Sequence, residues 1–266
     1  MNPLRTRLTA AAIGVGLVIA APAAAWAGPL RSTTSNSSPT ATSGPSDSTH
    51  RTVEDLRARC LAAIGVRLPA LAAAKSDVAS NRHLTDADRS ALTTDIDETA
   101  VRLQTLQGEI RADTDLATLR DHCHSIFQDN RVFALVLPRT RLVVGADTAT
   151  AAGARLSDIA AKLADAIDKA QAAGRDVTRA KADLDAMKAQ IASGVAAAGP
   201  IPGSVLGLTP ADWNGNHDVL TPPRQELRAA RSDLRVARDL AGKIRNELRV
   251  PTPSMSAPTT STSPQI

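Results

Sequence analysis

Four consecutive residues carry side chains that could hold a metal ion or act as a nucleophile: Asp121, His122, Cys123 and His124. On an α-helix, residues two apart point about 200° away from each other, so the two histidines cannot chelate one ion together. No other histidine lies four residues from either of them. A disulfide explains the cysteine better. We therefore predict no metal ion and no cofactor at this segment.

A second stretch, DWNGNHD at residues 212–218, resembles the start of a calcium-binding loop, with side-chain oxygens at its first, third and fifth positions. Such a loop needs glycine at position six and a bidentate glutamate at position twelve. These positions hold His217 and Pro223. Because Asn, Gly and Asp also form ordinary turns, we predict a structured loop, with calcium binding as the alternative.

The last predicted helix carries a stripe of arginines at helical spacing. A helix face of this kind can meet an anionic lipid, an anionic polymer or an acidic partner. Acidic residues between the arginines favour a simpler interpretation, in which the face is solvated or pairs with a neighbouring helix. The candidate face for an anionic partner comprises Arg224, Arg228, Arg231, Arg235 and Arg238, and the stripe continues to Arg245 and Arg249.

Composition argues against several functions. The chain has no tyrosine and only two phenylalanines, whereas sugar pockets and single-stranded nucleic-acid sites rely on aromatic stacking. Its net charge of +4 falls to +2 without Arg5 and Arg7, which gives no charge-based reason to expect nucleic acid. The sequence contains no nucleophile elbow, zinc-protease motif, Walker loop or C-x-x-C motif. We therefore predict a protein that is not an enzyme and does not bind nucleic acid.

The N-terminus has the pattern of a secretory signal peptide. Two arginines precede a short apolar run, and Ala25-Trp26-Ala27 forms an A-x-A cleavage site, which predicts a leader over residues 1–27. An uncleaved anchor is the alternative, but Pro22 interrupts a run that would need roughly 20 apolar residues to span a bilayer. After cleavage no transmembrane segment is expected, and the protein would be secreted or held in the cell envelope.

The two cysteines, Cys60 and Cys123, are predicted to form a disulfide, because an even count in an exported chain favours one. Each shares a helical face with leucine and isoleucine, so both thiols point toward a core. Two separate buried cysteines are the alternative.

Between the two ends the chain is strongly periodic, with apolar or small residues at alternating steps of four and three. Four such series run from Leu92 to Ile110, from Leu142 to Ala170 (nine residues), from Val177 to Ile191 and from Leu227 to Leu248. This pattern predicts an all-α fold, an elongated antiparallel helical bundle with coiled-coil-like heptad packing. Residues 28–50 and 251–266, rich in Ser, Thr and Pro, are predicted to be a disordered linker and tail flanking a bundle domain at 51–250. The predicted helices are 52–80, which Pro69 should kink, 86–111, 115–130, 138–173, 176–198 and 222–249.

The most apolar stretch of this body is RVFALVLPRTRLVV, residues 131–144. Its composition suits a strand, but the body offers no second strand to satisfy the backbone. Six consecutive apolar residues cannot cross a bilayer either. We predict a buried link, helical or extended, between the third and fourth helices. The functional alternative is an exposed strip that docks a partner or a second copy.

The run DTDLATLRDHCHSIFQDNRVFALVLPRTRLVVGAD (113–147), followed by Ala-rich helices and LTPADWN (208–214), resembles a group of exported helical proteins of actinobacteria. The resemblance covers roughly residues 54–249 and implies an exported all-helical domain without an assigned activity. The expected function is a non-enzymatic bundle of the cell envelope that contacts another protein or an envelope polymer, with self-association as an option. The alternative is an extracytoplasmic binding module for an anionic or small ligand along the arginine face.

Overall fold

A computed structural model describes the backbone of residues 45–249 and the side chains of residues 52–249. The predicted leader with Ala25 and Ala27, most of the predicted linker and the whole predicted tail lie outside the described residues. The part described is all-α: residues 45–249 form helices and turns and contain no strand. The predicted fold class is therefore confirmed. None of the helices described is long and apolar enough to cross a membrane.

Six long helices form the body, and all six were predicted. Two short helices were not, because five or six residues are too few to display a periodic apolar stripe. In chain order the helices are α1 (Pro45–Ser80), α2 (Asp86–Ala112), α3 (Leu116–Gln128), α4 (Leu137–Ala172), α5 (Thr178–Ala198), α6 (Ile201–Val205), α7 (Pro210–Gly215) and α8 (Thr221–Arg249).

The largest difference between predicted and observed ends is at the start of α1. This helix begins at Pro45, so residues 45–50, which composition predicts to be disordered, are helical. Proline is favoured at the first position of a helix because its fixed φ suits the first turn and its missing N–H is not needed there. The helix then continues without interruption through Pro69 to Ser80.

The periodic apolar positions are the buried ones, as predicted. On α2 every residue of the predicted periodic series is buried, from Leu92 to Ile110. On α4 the buried residues include all nine predicted positions from Leu142 to Ala170. A step of four and three residues returns to the same side of a helix, so these side chains form a continuous stripe that packs against neighbouring helices.

The helices pack in two groups of three. The first group is α1, α2 and α3, and within it the predicted disulfide joins Cys60 on α1 to Cys123 on α3, with the Cα atoms 5.5 Å apart. The second group is α4, α5 and α8, in which α5 packs most extensively against α8. The turn between α3 and α4 links the groups.

Glycines permit the close packing of the second group. A Cβ at Gly153 on α4 would lie 2.3 Å from a methyl group of Val195 on α5. A Cβ at Gly194 on α5 would lie 3.1 Å from the backbone oxygen of Ala230 on α8. Both distances are shorter than ordinary carbon contacts, so a side chain at either position would force the helices apart.

The apolar stretch that follows α3 is helical rather than extended. Residues Val132–Val136 form one π-helical turn that runs directly into α4, and Val132, Leu135 and Val136 are buried in it. Arg131 opens this turn in the left-handed region, with φ 37°. The predicted buried link is therefore confirmed and its conformation is helical, although Phe133 points outward and is 49% exposed.

Two helix ends are capped, and a third continues into the next helix. Thr85 accepts a hydrogen bond from the Asp88 N–H at the start of α2 (3.0 Å). Gly174 (φ 76°) follows the end of α4, where its N–H and that of Arg175 bond back to α4 carbonyls, as in a Schellman motif. By contrast, Gly199 has right-handed geometry (φ −55°), and the chain passes through Pro200 into α6 instead of ending in a loop.

A buried arginine ties the two helix groups together. Arg139 lies in the first turn of α4 and is only 4% exposed. Its guanidinium forms an ion pair with Asp95 on α2 and donates a hydrogen bond to the backbone oxygen of Leu208, between α6 and α7. A charge buried this deeply needs such partners, so α2 and the α6–α7 connection are held to the start of α4.

Candidate functional site

The predicted arginine face lies along an open groove, which we call the arginine groove. Arg224, Arg228 and Arg231 line one segment of about 920 Å³, and Arg231, Arg235 and Arg238 line a second segment of about 410 Å³. The two segments share Gly145, Thr148 and Arg231, so they adjoin at these residues, and we use one name for both. All five candidate arginines therefore reach the same groove, whereas Arg245 and Arg249 do not line it.

Three helices build the groove. Helix α4 lines both segments, α8 supplies the arginines on one side, and α1 supplies Ala70, Ala73 and Ala74 on the other side of the larger segment. Alanine side chains on α1 leave the groove wide. Apolar groups cover much of its surface, among them Leu227 and Leu234 of α8 and Leu142, Ala149 and Leu156 of α4. The result is an apolar surface with five guanidinium groups along the α8 wall and two more, Arg141 and Arg155, from α4.

Helix α4 presents a second periodic stripe to the groove, one position before its buried stripe. The stripe keeps the alternation of four and three residues and includes exposed side chains, with Ile159 39% exposed. Its members are Arg141, Gly145, Thr148, Ala152, Arg155 and Ile159. Within this stripe Gly145 is covered by α8, whereas Arg141, Thr148, Arg155 and Ile159 are exposed.

The arginines of the groove are not neutralised by neighbours. Within residues 52–249, none of the five forms an ion pair. Two acidic residues of α8 instead face α5, since Asp233 accepts a hydrogen bond from Ser193 (2.6 Å) and Glu247 pairs with Arg179 (3.1 Å). These two carboxylates of α8 thus lie toward α5, while its five candidate arginines line the groove.

Gly145 positions the central arginine. A Cβ at this residue would lie 2.8 Å from a guanidinium nitrogen of Arg231 and 2.7 Å from a methyl carbon of Leu227. The missing side chain therefore lets Arg231 lie across the surface of α4, where the two segments of the groove meet. This places a cation directly above an apolar surface, an arrangement suited to a ligand with both charged and apolar parts.

An aromatic cluster stands at the end of the groove near the start of α4. Phe133 lines the larger segment, and the guanidinium carbon of Arg67 on α1 lies 5.2 Å from the centre of its ring. The same guanidinium lies 4.5 Å from the ring of Phe127, which is 44% exposed. Desolvation between these groups lowers the pKa of Arg67. Both phenylalanines of the chain thus lie at the surface around one arginine.

The Asp121–His124 segment serves structural contacts. Cys123 is in the disulfide, and His122 places its Nδ1 atom 3.0 Å from a carboxylate oxygen of Asp113, at the end of α2. In the described part of the chain, no three His, Cys, Asp or Glu side chains are grouped so that they could hold a metal ion. The histidine therefore ties α3 to the end of α2.

The loop that resembles a calcium site uses its oxygens within the protein. Asp212 forms a complete capping box with Thr209 at the start of α7. Asn214 accepts a hydrogen bond from Arg131 (2.7 Å) and donates one to the backbone oxygen of Gln128 (3.1 Å). Asn216 accepts a hydrogen bond from the Asp218 N–H (2.9 Å). The structure thus places these residues in an ordered turn that holds α7 against the end of α3.

Several groove residues were not predicted from sequence. Arg155 and His83 line the smaller segment, and Phe133 and Ala73 line the larger one. The α4 stripe was visible in the sequence as a second series with the same spacing. The sequence does not show how exposed these residues are. A stripe beside the buried one can be covered by a neighbouring helix or left open.

With this geometry in hand, comparison with known proteins adds no assignment: the chain matches no protein family, no curated protein and no solved structure.

Proposed function

We propose that this chain is an exported, non-enzymatic binding protein of the cell envelope, and that it holds an anionic ligand in the arginine groove. The observation that carries this proposal is the row of arginines without ion-pair partners beside an apolar surface. A guanidinium group donates several hydrogen bonds in a planar fork, which suits carboxylate, sulfonate or phosphate groups.

The chemistry of the groove favours binding over catalysis. Its polar groups are mainly guanidinium groups, which stay protonated and donate hydrogen bonds but do not act as nucleophiles or general bases. The apolar surface between them, including Leu156 and Leu234, would bury the uncharged part of a ligand. A ligand with both parts gains from both contacts.

Export is proposed from the N-terminal pattern and is consistent with the Cys60–Cys123 disulfide, since disulfides persist outside the reducing cytosol. The test is N-terminal sequencing of the protein recovered from fractionated cells of its source. We expect Gly28 as the first residue in the extracytoplasmic fraction. Recovery of the chain from the cytosol with Met1 and the apolar run intact would contradict export.

Binding is tested with anilinonaphthalene sulfonate, an anion with an apolar aromatic body. We expect saturable binding, seen as an increase in fluorescence, and a weakening of at least about tenfold in the Arg231→Gln/Arg235→Gln variant, since charge-assisted hydrogen bonds contribute roughly 1.5–3 kcal/mol each. Binding should also weaken with added salt, because the contact is between charges.

The matched control is Arg245→Gln/Arg249→Gln, which removes the same charge from the same helix outside the groove. It should bind the probe as the unmodified chain does. If both double variants lose affinity equally, the effect reflects net charge rather than a site, and the proposal is wrong. Absence of saturable binding to the folded chain would contradict it as well.

A further inference from the structure

We infer that the natural occupant of the arginine groove is an acidic amphipathic helix of a partner protein. This inference rests on the proposed function, because it names the class of ligand that the groove would hold. It is carried by four features of the groove: its length, the spacing of its arginines, its apolar surface and the difference in charge between its α8 and α1 walls.

The length of the groove suits a helix. Residues 137–159 of α4 line it from end to end, and they span about 33 Å at 1.5 Å per residue. The ends are marked by two exposed apolar residues, Phe133 and Ile159. A compact anion such as a single phosphate would contact one or two arginines and leave most of this surface uncovered.

The spacing of the arginines suits a helix as well. Arg224, Arg228, Arg231, Arg235 and Arg238 follow steps of four, three, four and three residues. When two helices pack side by side, each returns to the interface every 3.5 residues. The charged residues that flank the interface therefore repeat at the same spacing. A partner with one Asp or Glu per turn on one flank would meet each arginine in succession.

The apolar surface distinguishes a helix from other anions. The second stripe of α4, with Ala152 at its centre, and the alanines of α1 form a concave surface that an apolar helix face can cover. A flexible polyanion has no apolar side to place there. A planar lipid bilayer can approach exposed arginines but cannot enter a concave groove.

Charge on the walls sets the orientation of the acidic flank. Helix α8 provides five guanidinium groups and α4 adds Arg141 and Arg155 between the walls, whereas the α1 wall carries alanines and one carboxylate, Asp77. The acidic flank of the partner would therefore face α8, and small or apolar residues would face α1. A helix with carboxylates on both flanks should bind less well than one with carboxylates on a single flank.

The test uses synthetic peptides of about 21 residues, close to the length of the groove. One has leucines at alternating steps of four and three residues and glutamates on one flank, and another has the same composition in scrambled order. We expect the first to bind the purified, disulfide-bonded chain with a stoichiometry of one and to displace anilinonaphthalene sulfonate. The scrambled peptide should bind at least about tenfold more weakly.

A pair of variants on α1 locates the peptide. Ala73 and Ala72 are both exposed, but only Ala73 lines the groove. Ala73→Glu should weaken binding of the acidic peptide by about tenfold or more through like-charge repulsion, whereas Ala72→Glu should leave it unchanged. Circular dichroism and thermal unfolding of both variants check that each retains the fold.

Several outcomes would overturn the inference. One is equal binding of the scrambled peptide or of polyglutamate; another is tighter binding of vesicles containing phosphatidylglycerol than of the helical peptide. Sedimentation of the chain as a dimer that Ala73→Glu dissociates would identify a second copy as the occupant instead. If arginine-dependent binding of anilinonaphthalene sulfonate persists while the helical peptide shows no advantage, the inference fails and the proposed function stands. If neither binds, both fail.

Discussion

The carboxylate of Asp147 on α4 accepts a hydrogen bond from the backbone N–H of Thr85, the cap residue of α2, at 2.8 Å. In a capping box, the residue three positions after the cap would accept this bond. At Thr209 the local partner, Asp212, does accept it (2.7 Å). At Thr85 the acceptor is instead Asp147, which lies 62 positions away in the sequence. The first turn of α2 is therefore completed by a side chain of α4, which is distant in the sequence.

The first prediction concerns pH. Burial, with Asp88 nearby, raises the pKa of Asp147 above its ordinary value of 3.8. The folded state then holds this proton more tightly than the unfolded state, so protonation stabilises the fold, and this contribution is lost as pH rises through the folded pKa. We expect Asp147→Asn to gain stability relative to the unmodified chain as pH rises from about 3.5 to about 7, measured by urea unfolding.

Asp115 provides the control of opposite sign. As the cap of α3 it accepts a hydrogen bond from the backbone of Thr118 (2.9 Å), and this bond is the main cause of its lowered pKa. Its contribution to stability is present above its ordinary value of 3.8 and is lost as pH falls through the lower folded pKa. Asp115→Asn should therefore lose stability relative to the unmodified chain as pH rises. Parallel pH profiles for the two variants would contradict both assignments.

The second prediction concerns the disulfide. It closes a loop with a sequence separation of 63 residues, which on the chain-entropy model stabilises the fold by about 4 kcal/mol. The Cys60→Ala/Cys123→Ala variant should therefore show a lower free energy of unfolding by about that amount in urea. Without reductant, the denatured unmodified chain should contain no thiol that iodoacetamide can alkylate. Two alkylated thiols, or a double variant as stable as the unmodified chain, would show that no bond forms.

The third prediction concerns the packing of α4 on α5. Gly153→Ala would place a methyl group 2.3 Å from Val195, so we expect a loss of about 1–3 kcal/mol in the free energy of unfolding. The matched control is Gly108→Ala on α2, where an added methyl group meets nothing within 4 Å. That variant should gain about 0.5–1 kcal/mol, because alanine favours helix more than glycine does. Equal effects of the two substitutions would refute close packing at Gly153.

The fourth prediction compares two carboxylates of α2. Asp95→Ala leaves the guanidinium of Arg139 buried without its ion-pair partner and should cost about 3 kcal/mol. Asp97→Ala removes an ion pair with Lys75 in which both side chains are about half exposed, and it should cost less than about 1 kcal/mol. Adding Arg139→Met to Asp95→Ala should recover most of the loss, since no buried charge remains. Urea unfolding of the three variants gives the comparison, and equal losses for Asp95→Ala and Asp97→Ala would be inconsistent with a buried pair.

The sequence predicted the local structure well where a repeated pattern carried it. The 4-3 spacing identified every buried position of α2 and most of those of α4, α5 and α8, because residues at this spacing lie on the same side of a helix. The disulfide followed from two cysteines on apolar faces. The short helices α6 and α7 and the early start of α1 were missed, since they depend on one or two prolines rather than on a repeat.

The arginine groove illustrates which features the sequence determines and which depend on the tertiary structure. By itself the sequence determined that α8 carries arginines on one face and that α4 carries a long apolar stripe. Only the tertiary structure decided that a groove lies between α1 and α8 beside that stripe, that Asp233 and Glu247 of α8 contact α5, and that Arg139 is buried beside Asp95. The periodicity of a sequence describes one helix at a time, whereas a groove is a gap between helices. The width of that gap depends on long-range packing, which no local pattern encodes.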